Sequence, residues 1–164
     1  MTSWPTRIAV VLVMLAPAAY AEDAKPKKTA DASKSKAVFV AAKDLKFGDA
    51  PPQLPKGGKL GVLMGDPTKA GPYVIRLKAP DGYKIPPHWH SKDEQLTVIA
   101  GTLRLYMGDT MDGEPHALSA GDFHALPGRM HHAAQAEGET IVQINGVGPF
   151  DVTYVDPKDD PRNK

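Results

Sequence analysis

The chain has 164 residues and not one cysteine. It can therefore form no disulfide, and its fold does not depend on the redox state of its compartment. No lipid can be attached at an N-terminal cysteine. Any metal site must use histidine nitrogens and carboxylate oxygens, because thiolate ligands are excluded.

The sequence also lacks a strong charge of either sign and a long apolar segment. It has 20 Lys and Arg against 19 Asp and Glu, which gives a net charge of +1 with neutral histidines. A nucleic-acid-binding surface needs a marked basic excess, so we expect no nucleic-acid partner. The apolar run at residues 8–16 is too short to span a bilayer, which takes about 20 residues.

That apolar run has the features of an export signal. Arg7 precedes it, and the small-x-small sequence Ala19-Tyr20-Ala21 follows it. This pattern is typical of a secretory signal peptide, residues 1–21, cut after Ala21. An uncleaved membrane anchor is the alternative. We expect a periplasmic or secreted protein with no membrane association after cleavage.

Two further regions follow the signal. Residues 22–36 are rich in Lys, Ala, Asp, Ser and Pro and show no apolar period, which predicts a flexible linker. Residues 37–164 are long enough to form a single domain with its own core. A short helix within residues 37–46 is left open.

The domain has the pattern of an all-β protein. Gly and Pro interrupt it about every eight to twelve residues, and no stretch keeps a helical apolar period. A tight hairpin is predicted at Ala100-Gly101, because glycine readily takes the positive φ of such turns. The predicted strands are residues 61–64, 73–78, 85–90, 94–99, 102–107, 116–118, 122–126, 131–135, 140–145 and 151–155.

Four residues form the candidate metal site. His88 and His90 are two apart, so on a strand their imidazoles point to one face, away from Trp89. A polar trio then lets the chain turn and bring Glu94 back towards them. His132, on a later strand, would complete a four-ligand set and leave coordination positions open for water or substrate. Its neighbour His131 is the rival, but alternation lets only one of the pair face inward.

The spacing of these residues resembles the cupin family. Gly82, five residues, His88-x-His90, three residues, Glu94, six residues and Gly101 match the first cupin motif at every fixed position. The second motif is similar to Gly121, five residues, Pro127 and then His132, although its second glycine is displaced to Gly128 and Ala136 replaces its final Asn. The resemblance covers roughly residues 61–154.

The resemblance implies a double-stranded β-helix, or jelly-roll barrel, that holds one divalent metal through His88, His90, Glu94 and His132. Fe, Mn, Ni, Co, Cu and Zn all suit such ligands. It implies a non-haem metalloenzyme, dioxygenase-like or an isomerase or lyase, acting on a small organic molecule, with Glu94 also considered as a base. The alternative is a non-catalytic metal- or small-ligand-binding or sensing module, because a shared fold does not select among functions. A homodimer is a further family expectation.

Other residues received structural interpretations. We predict that His116 lies on the surface and that His124 is a satisfied structural histidine, with a proton-shuttle role as its alternative. Met64, Met107, Met111 and Met130 are predicted to fill the core rather than to bind a metal. The sequence does not decide whether the side chains of three strand residues point into the cavity or to the outer surface: Arg76, Tyr106 and Gln143.

Overall fold

The computed structural model describes residues 36–164. The predicted signal peptide and all but the last residue of the predicted linker lie outside this range, so those predictions stay untested. Val38–Lys164 forms one compact unit. In the described part of the chain, no helix has the length and apolar character needed to cross a membrane.

The described residues form nine β-strands and three short 3₁₀ helices. The helices are single turns at Ala42–Asp44, Pro157–Asp159 and Pro161–Asn163. The helical structure within residues 37–46 is therefore limited to one 3₁₀ turn. The strands are β1 Gly48–Asp49, β2 Lys59–Met64, β3 Gly71–Ala79, β4 Lys84–Trp89, β5 Glu94–Met107, β6 His116–Ser119, β7 Phe123–Leu126, β8 His132–Gly148 and β9 Thr153–Tyr154.

Two long strands organise the sheet. β8 pairs with β3, β4 and β5, while β5 also pairs with β6 and β7. The remaining order is β1-β2-β3-β8-β4-β9, and every pairing is antiparallel. The sheet curls on itself into a jelly roll, which confirms the predicted all-β fold class.

The predicted hairpin at Ala100-Gly101 is wrong. β5 runs through this point as one strand, and its register with β8 shifts between Val98 and Thr102. Gly101 has a φ of 77°, and a Cβ there would lie 2.5 Å from the Glu139 carbonyl oxygen. Glycine is therefore required for a close backbone approach at a bend rather than for a turn.

The barrel interior is filled by alternate residues of the strands. Ile75, Val98 and Thr140 are the most deeply buried large side chains. The Thr140 hydroxyl donates to the carbonyl of Thr102 at 2.9 Å, so the one polar member is paired at the β5–β8 bend. This packed interior fixes the inner face on which the candidate site lies.

The methionine prediction is wrong for three residues. Met64, Met107 and Met130 are between 38% and 41% exposed. Met64 and Met107 end their strands, where the side chains leave the shared interior. Leucine, valine, isoleucine, tyrosine and alanine fill the core instead.

Candidate metal centre

The pairing of β4 with β8 brings His88 and His132 together. His88 lies opposite His132 in the antiparallel register of these strands. His90 follows the end of β4 directly, and all three histidines are buried. Trp89 points the other way, with the guanidinium carbon of Arg129 at 6.0 Å from its ring centroid. The predicted alternation of His88 and His90 about Trp89 is confirmed.

The structure distinguishes His132 from His131. The His132 side chain is 3% exposed, whereas that of His131 is 38% exposed. His131 Nδ1 contacts the Asp109 carboxylate at 2.5 Å on the surface. Strand alternation therefore turns His132 inward, as the sequence predicts.

One ring nitrogen from each of His88, His90 and His132 lies within 4.8 Å of those of the other two. The Nδ1 atoms of these histidines each contact a backbone carbonyl: Pro86 at 2.8 Å, Asp151 at 2.6 Å and Met130 at 3.0 Å. A carbonyl only accepts, so each Nδ1 carries the hydrogen. In the neutral form of each ring, the lone pair is then on Nε2. This is the orientation that a metal-binding histidine usually has.

Glu94, at the start of β5, places its carboxylate among histidine nitrogens. Oε1 lies 3.4 Å from Nε2 of His90, and Oε2 lies 3.5 Å from Nε2 of His132 and 3.3 Å from Nε2 of His124. Burial alone would raise the pKa of Glu94, but its contacts with His124 and His132 and the adjacent His90 outweigh burial and hold that pKa well below its usual range. The group is therefore a carboxylate at neutral pH.

His88 is held neutral by its surroundings. Burial first, and then the neighbouring His132 and His90, lower the pKa of His88 from 6.5 to about 3. Since protonated imidazole cannot bind a metal, the site keeps this ligand ready at neutral pH.

The donor set fits a divalent cation. One ring nitrogen from each of the three histidines lies close to those of the other two, the Glu94 carboxylate lies beside His90 and His132, and Nε2 of His90 is buried without a hydrogen-bond partner within residues 36–164. Lone pairs that converge without a hydrogen between them repel, and a cation removes that repulsion. Imidazole with carboxylate is a ligand set of Zn, Fe, Mn, Ni, Co and Cu sites.

A small cavity lies behind these residues inside the barrel. Its volume is about 40 Å³, and His88, Glu94, His124 and His132 form its polar side while aliphatic side chains form the rest. This is enough room for a water molecule, which needs about 10–15 Å³ of such space. A larger ligand would need access from the opposite side of the site or movement of the wall.

His124 differs from its predicted role. Its side chain is 9% exposed and its Nε2 contacts Glu94, but its Nδ1 is buried and has no partner among the described residues. It is therefore not a fully satisfied structural histidine. The sequence correctly predicts that the His124 side chain points inward, because His124 shares its strand face with the buried Leu126. It does not predict the contact with Glu94.

The other open residues lie outside the site. Arg76 donates from Nε and Nη2 to the Gln143 side-chain oxygen, both at 3.2 Å. Their buried neighbours Ile75, Leu77, Val142 and Ile144 take the inward positions of the same strands, and Tyr106 likewise follows the buried Leu105. His116 is exposed, as predicted.

The sequence interpretation missed two contributors to the site. The backbone carbonyl of Asp151 fixes His90, and the Asp151 carboxylate accepts from the Ser91 amide at 3.2 Å. The Phe150 ring lies 5.7 Å from that of His90, centroid to centroid. No motif marks residues that act through a backbone carbonyl or a ring contact across 60 positions of chain.

Comparisons with known proteins agree with this fold. A family model for the cupin domain matches residues 76–156. No curated protein gives a significant sequence match.

Solved structures share the fold at low sequence identity. The polyketide cyclase RemF from Streptomyces resistomycificus is 17% identical with a TM-score of 0.65, covering 78% of this chain and 92% of that one. A putative acetylacetone dioxygenase from Methylibium petroleiphilum PM1 is 16% identical with a TM-score of 0.60, covering 79% and 88%. An RmlC-like cupin protein from Ralstonia eutropha JMP134 is 20% identical with a TM-score of 0.58, covering 78% of each. At these identities the likeness concerns the fold.

Proposed function

Because this chain belongs to the cupin superfamily, we propose that it binds one divalent transition metal through His88, His90, Glu94 and His132. One observation carries the proposal: one ring nitrogen from each of three buried histidines lies within 4.8 Å of those of the other two, and the buried Glu94 carboxylate lies beside His90 and His132. Nε2 of His90 is buried without a partner among residues 36–164, whereas a histidine with only a structural role would have one.

Elemental analysis of the purified domain tests this proposal. We expect about one divalent metal per chain, and none in the variant with alanine at all four positions. A variant with alanine at the exposed His116 and His131 is the matched control and should keep the metal. Stoichiometric metal in the fourfold variant would place the site elsewhere.

We further propose that the metal serves catalysis on a small organic substrate. A bound metal would supply Lewis-acid polarisation or, if redox-active, a site for O2. The residues of the chain contribute fixed ligand orientations, a negative charge on Glu94 and a largely aliphatic surrounding. The lowered pKa of Glu94 makes it a weak base, so it is better suited to bind a cation than to remove a proton.

Two of the similar structures, the polyketide cyclase and the putative acetylacetone dioxygenase, are or are described as enzymes acting on small organic molecules. They support this class of function without selecting a reaction. Oxygen-uptake and substrate-turnover assays with the metal-loaded protein would test it, and the fourfold variant is the blank.

A non-catalytic binding or sensing module is the second candidate. The interior cavity of about 40 Å³ favours a centre that binds the metal alone, because that space leaves no room for an organic substrate beside the candidate ligands. A small ligand that raises the melting temperature of the metal-loaded protein while no turnover occurs would support this candidate. Turnover of any substrate would exclude it.

Export remains part of the proposal. The pattern at residues 1–21 supports a periplasmic or secreted location. Sequencing the N-terminus of protein recovered from the periplasm or medium should begin at Glu22. Recovery with an intact N-terminus from the membrane fraction would favour the uncleaved anchor.

A further inference from the structure

His124 is a polar, titratable residue of the barrel interior that is not among the four proposed metal ligands. It lies on β7, where the register pairs Leu96 with His124 and Glu94 with Leu126. Its side chain thus stands diagonally beside that of Glu94 on the inner face, and its Nε2 lies 3.3 Å from Glu94 Oε2. Its position on a strand that carries none of the four candidate ligands makes it an independent element of the site.

The chemistry of this contact fixes the histidine. A carboxylate only accepts hydrogen bonds, so Nε2 of His124 carries the hydrogen. In the neutral ring its Nδ1 then has the lone pair. This tautomer is the reverse of that of His88, His90 and His132, whose Nδ1 atoms donate to carbonyls. When all four rings are neutral, His124 is therefore the donor to the carboxylate, while the other three have their lone pairs on Nε2.

We propose that His124 is a positioning residue that holds Glu94 for the metal, an inference that rests on the proposed metal-binding function. Its Nε2–H occupies Oε2 and leaves Oε1, beside His90, as the oxygen offered to the cation. The hydrogen bond also prevents the carboxylate from rotating within the interior. Partners of this kind behind a metal ligand typically contribute 10–100-fold to metal affinity.

The unpartnered Nδ1 has a separate consequence. His124 lines the cavity of about 40 Å³, and a buried polar atom without a partner is rare in proteins. The space suits one water molecule that donates to Nδ1. His124 thus links Glu94 to a solvent position inside the barrel.

Three substitutions separate these contributions. In His124→Gln the side-chain amide nitrogen takes about the place of Nε2 and can still donate to Glu94. In His124→Asn the amide reaches only about as far as Nδ1, so the donor to Glu94 is lost. His124→Leu removes both polar atoms at similar volume. His116→Gln, at an exposed histidine, is the control.

Co2+ is the probe, and its dissociation constant is measured by competition with a chelator. We expect the Leu and Asn variants to bind Co2+ about 10–100-fold more weakly than the wild type. The Gln variant should recover most of the affinity, and the control should match the wild type. The visible spectrum of bound Co2+ should change in the Leu and Asn variants, because the coordination by Glu94 changes.

The outcomes distinguish the two proposals. If wild-type protein takes up no Co2+, the metal-binding function itself is wrong. If the wild type binds Co2+ and all variants bind it equally, with unchanged spectra, only the role of His124 is overturned. Should the Leu variant fail to fold, the Gln and Asn pair decides: equal affinities of these two would also overturn the role of His124.

Discussion

The neutral state of His88 predicts a specific loss of stability in mild acid. Its pKa is lowered from 6.5 to about 3 in the folded protein, chiefly by burial. An unfolded chain has a histidine pKa of about 6.5. Between these values the unfolded chain binds a proton that the folded chain does not. The free energy of unfolding therefore falls as the pH falls through this window.

The magnitude follows from one proton. Each pH unit is worth about 1.36 kcal/mol once the unfolded histidine is fully protonated. From pH 6.5 to 5.0 the loss from His88 alone is about 1.5–2 kcal/mol, since the unfolded group is half protonated at the start. The lowered pKa of Glu94 acts in the same direction, but only at pH values below about 4.5, so this window separates the two groups.

Urea unfolding of the metal-free protein, in the presence of a chelator, measures this loss at the two pH values. His88→Gln cannot titrate, so its free energy of unfolding should fall by about 1.5–2 kcal/mol less than that of the wild type. His116→Gln, at an exposed position, should behave as the wild type. An equal loss in wild type and His88→Gln, with unchanged urea dependence, would refute a buried neutral His88.

Three further predictions concern the metal and the bend in β5. His132→Ala should lose the metal and His131→Ala should keep it in elemental analysis; the reverse result would mean the β8 register is wrong. Metal at 100 times its dissociation constant should add about 2.7 kcal/mol to the stability of a folded apo-protein, a gain that shrinks from neutral pH to about pH 5 in thermal melts because protons compete for histidine. An unfolded apo-protein at neutral pH, or a gain that grows in acid, would contradict this. Gly101→Ala should lower the free energy of unfolding in urea by more than the roughly 1 kcal/mol expected of Gly108→Ala. Both glycines have positive φ, but only at Gly101 would an added Cβ meet backbone atoms. Equal losses in the two variants would show that this close backbone approach does not matter.

The sequence predicts facing well wherever a strand is regular. Alternation correctly turns His88 and His90 inward about Trp89, and it separates His132 from His131. The sequence pattern gives the wrong structure at Ala100-Gly101, because a glycine between two strand-like segments is compatible with a hairpin turn and with a bend within one strand. Glycine with positive φ serves a hairpin and a bend equally well, and only the continuous pairing of β5 with β8 distinguishes them.

The candidate site is less predictable where its contacts cross between elements. The carbonyl of Asp151 that fixes His90 belongs to a residue with no pattern of its own, because every residue has a carbonyl. The exposed methionines show a related limit. Hydrophobic character alone does not tell whether a residue near a strand end lies within the shared interior or beyond it.

The surroundings of Glu94 show how a function can depend on a register that no motif specifies. Histidines from the end of β4, from β7 and from β8 meet this one carboxylate. The β7 contribution depends on pairing Leu96 with His124. A slip of one residue would turn the exposed Phe123 inward, leave His124 outside and remove the donor to Oε2. The four candidate ligands would remain in place, yet the carboxylate would be free to rotate. Substitutions at the β5–β7 pairing should therefore change metal affinity without touching a ligand, and position 124 is where that effect can be measured directly.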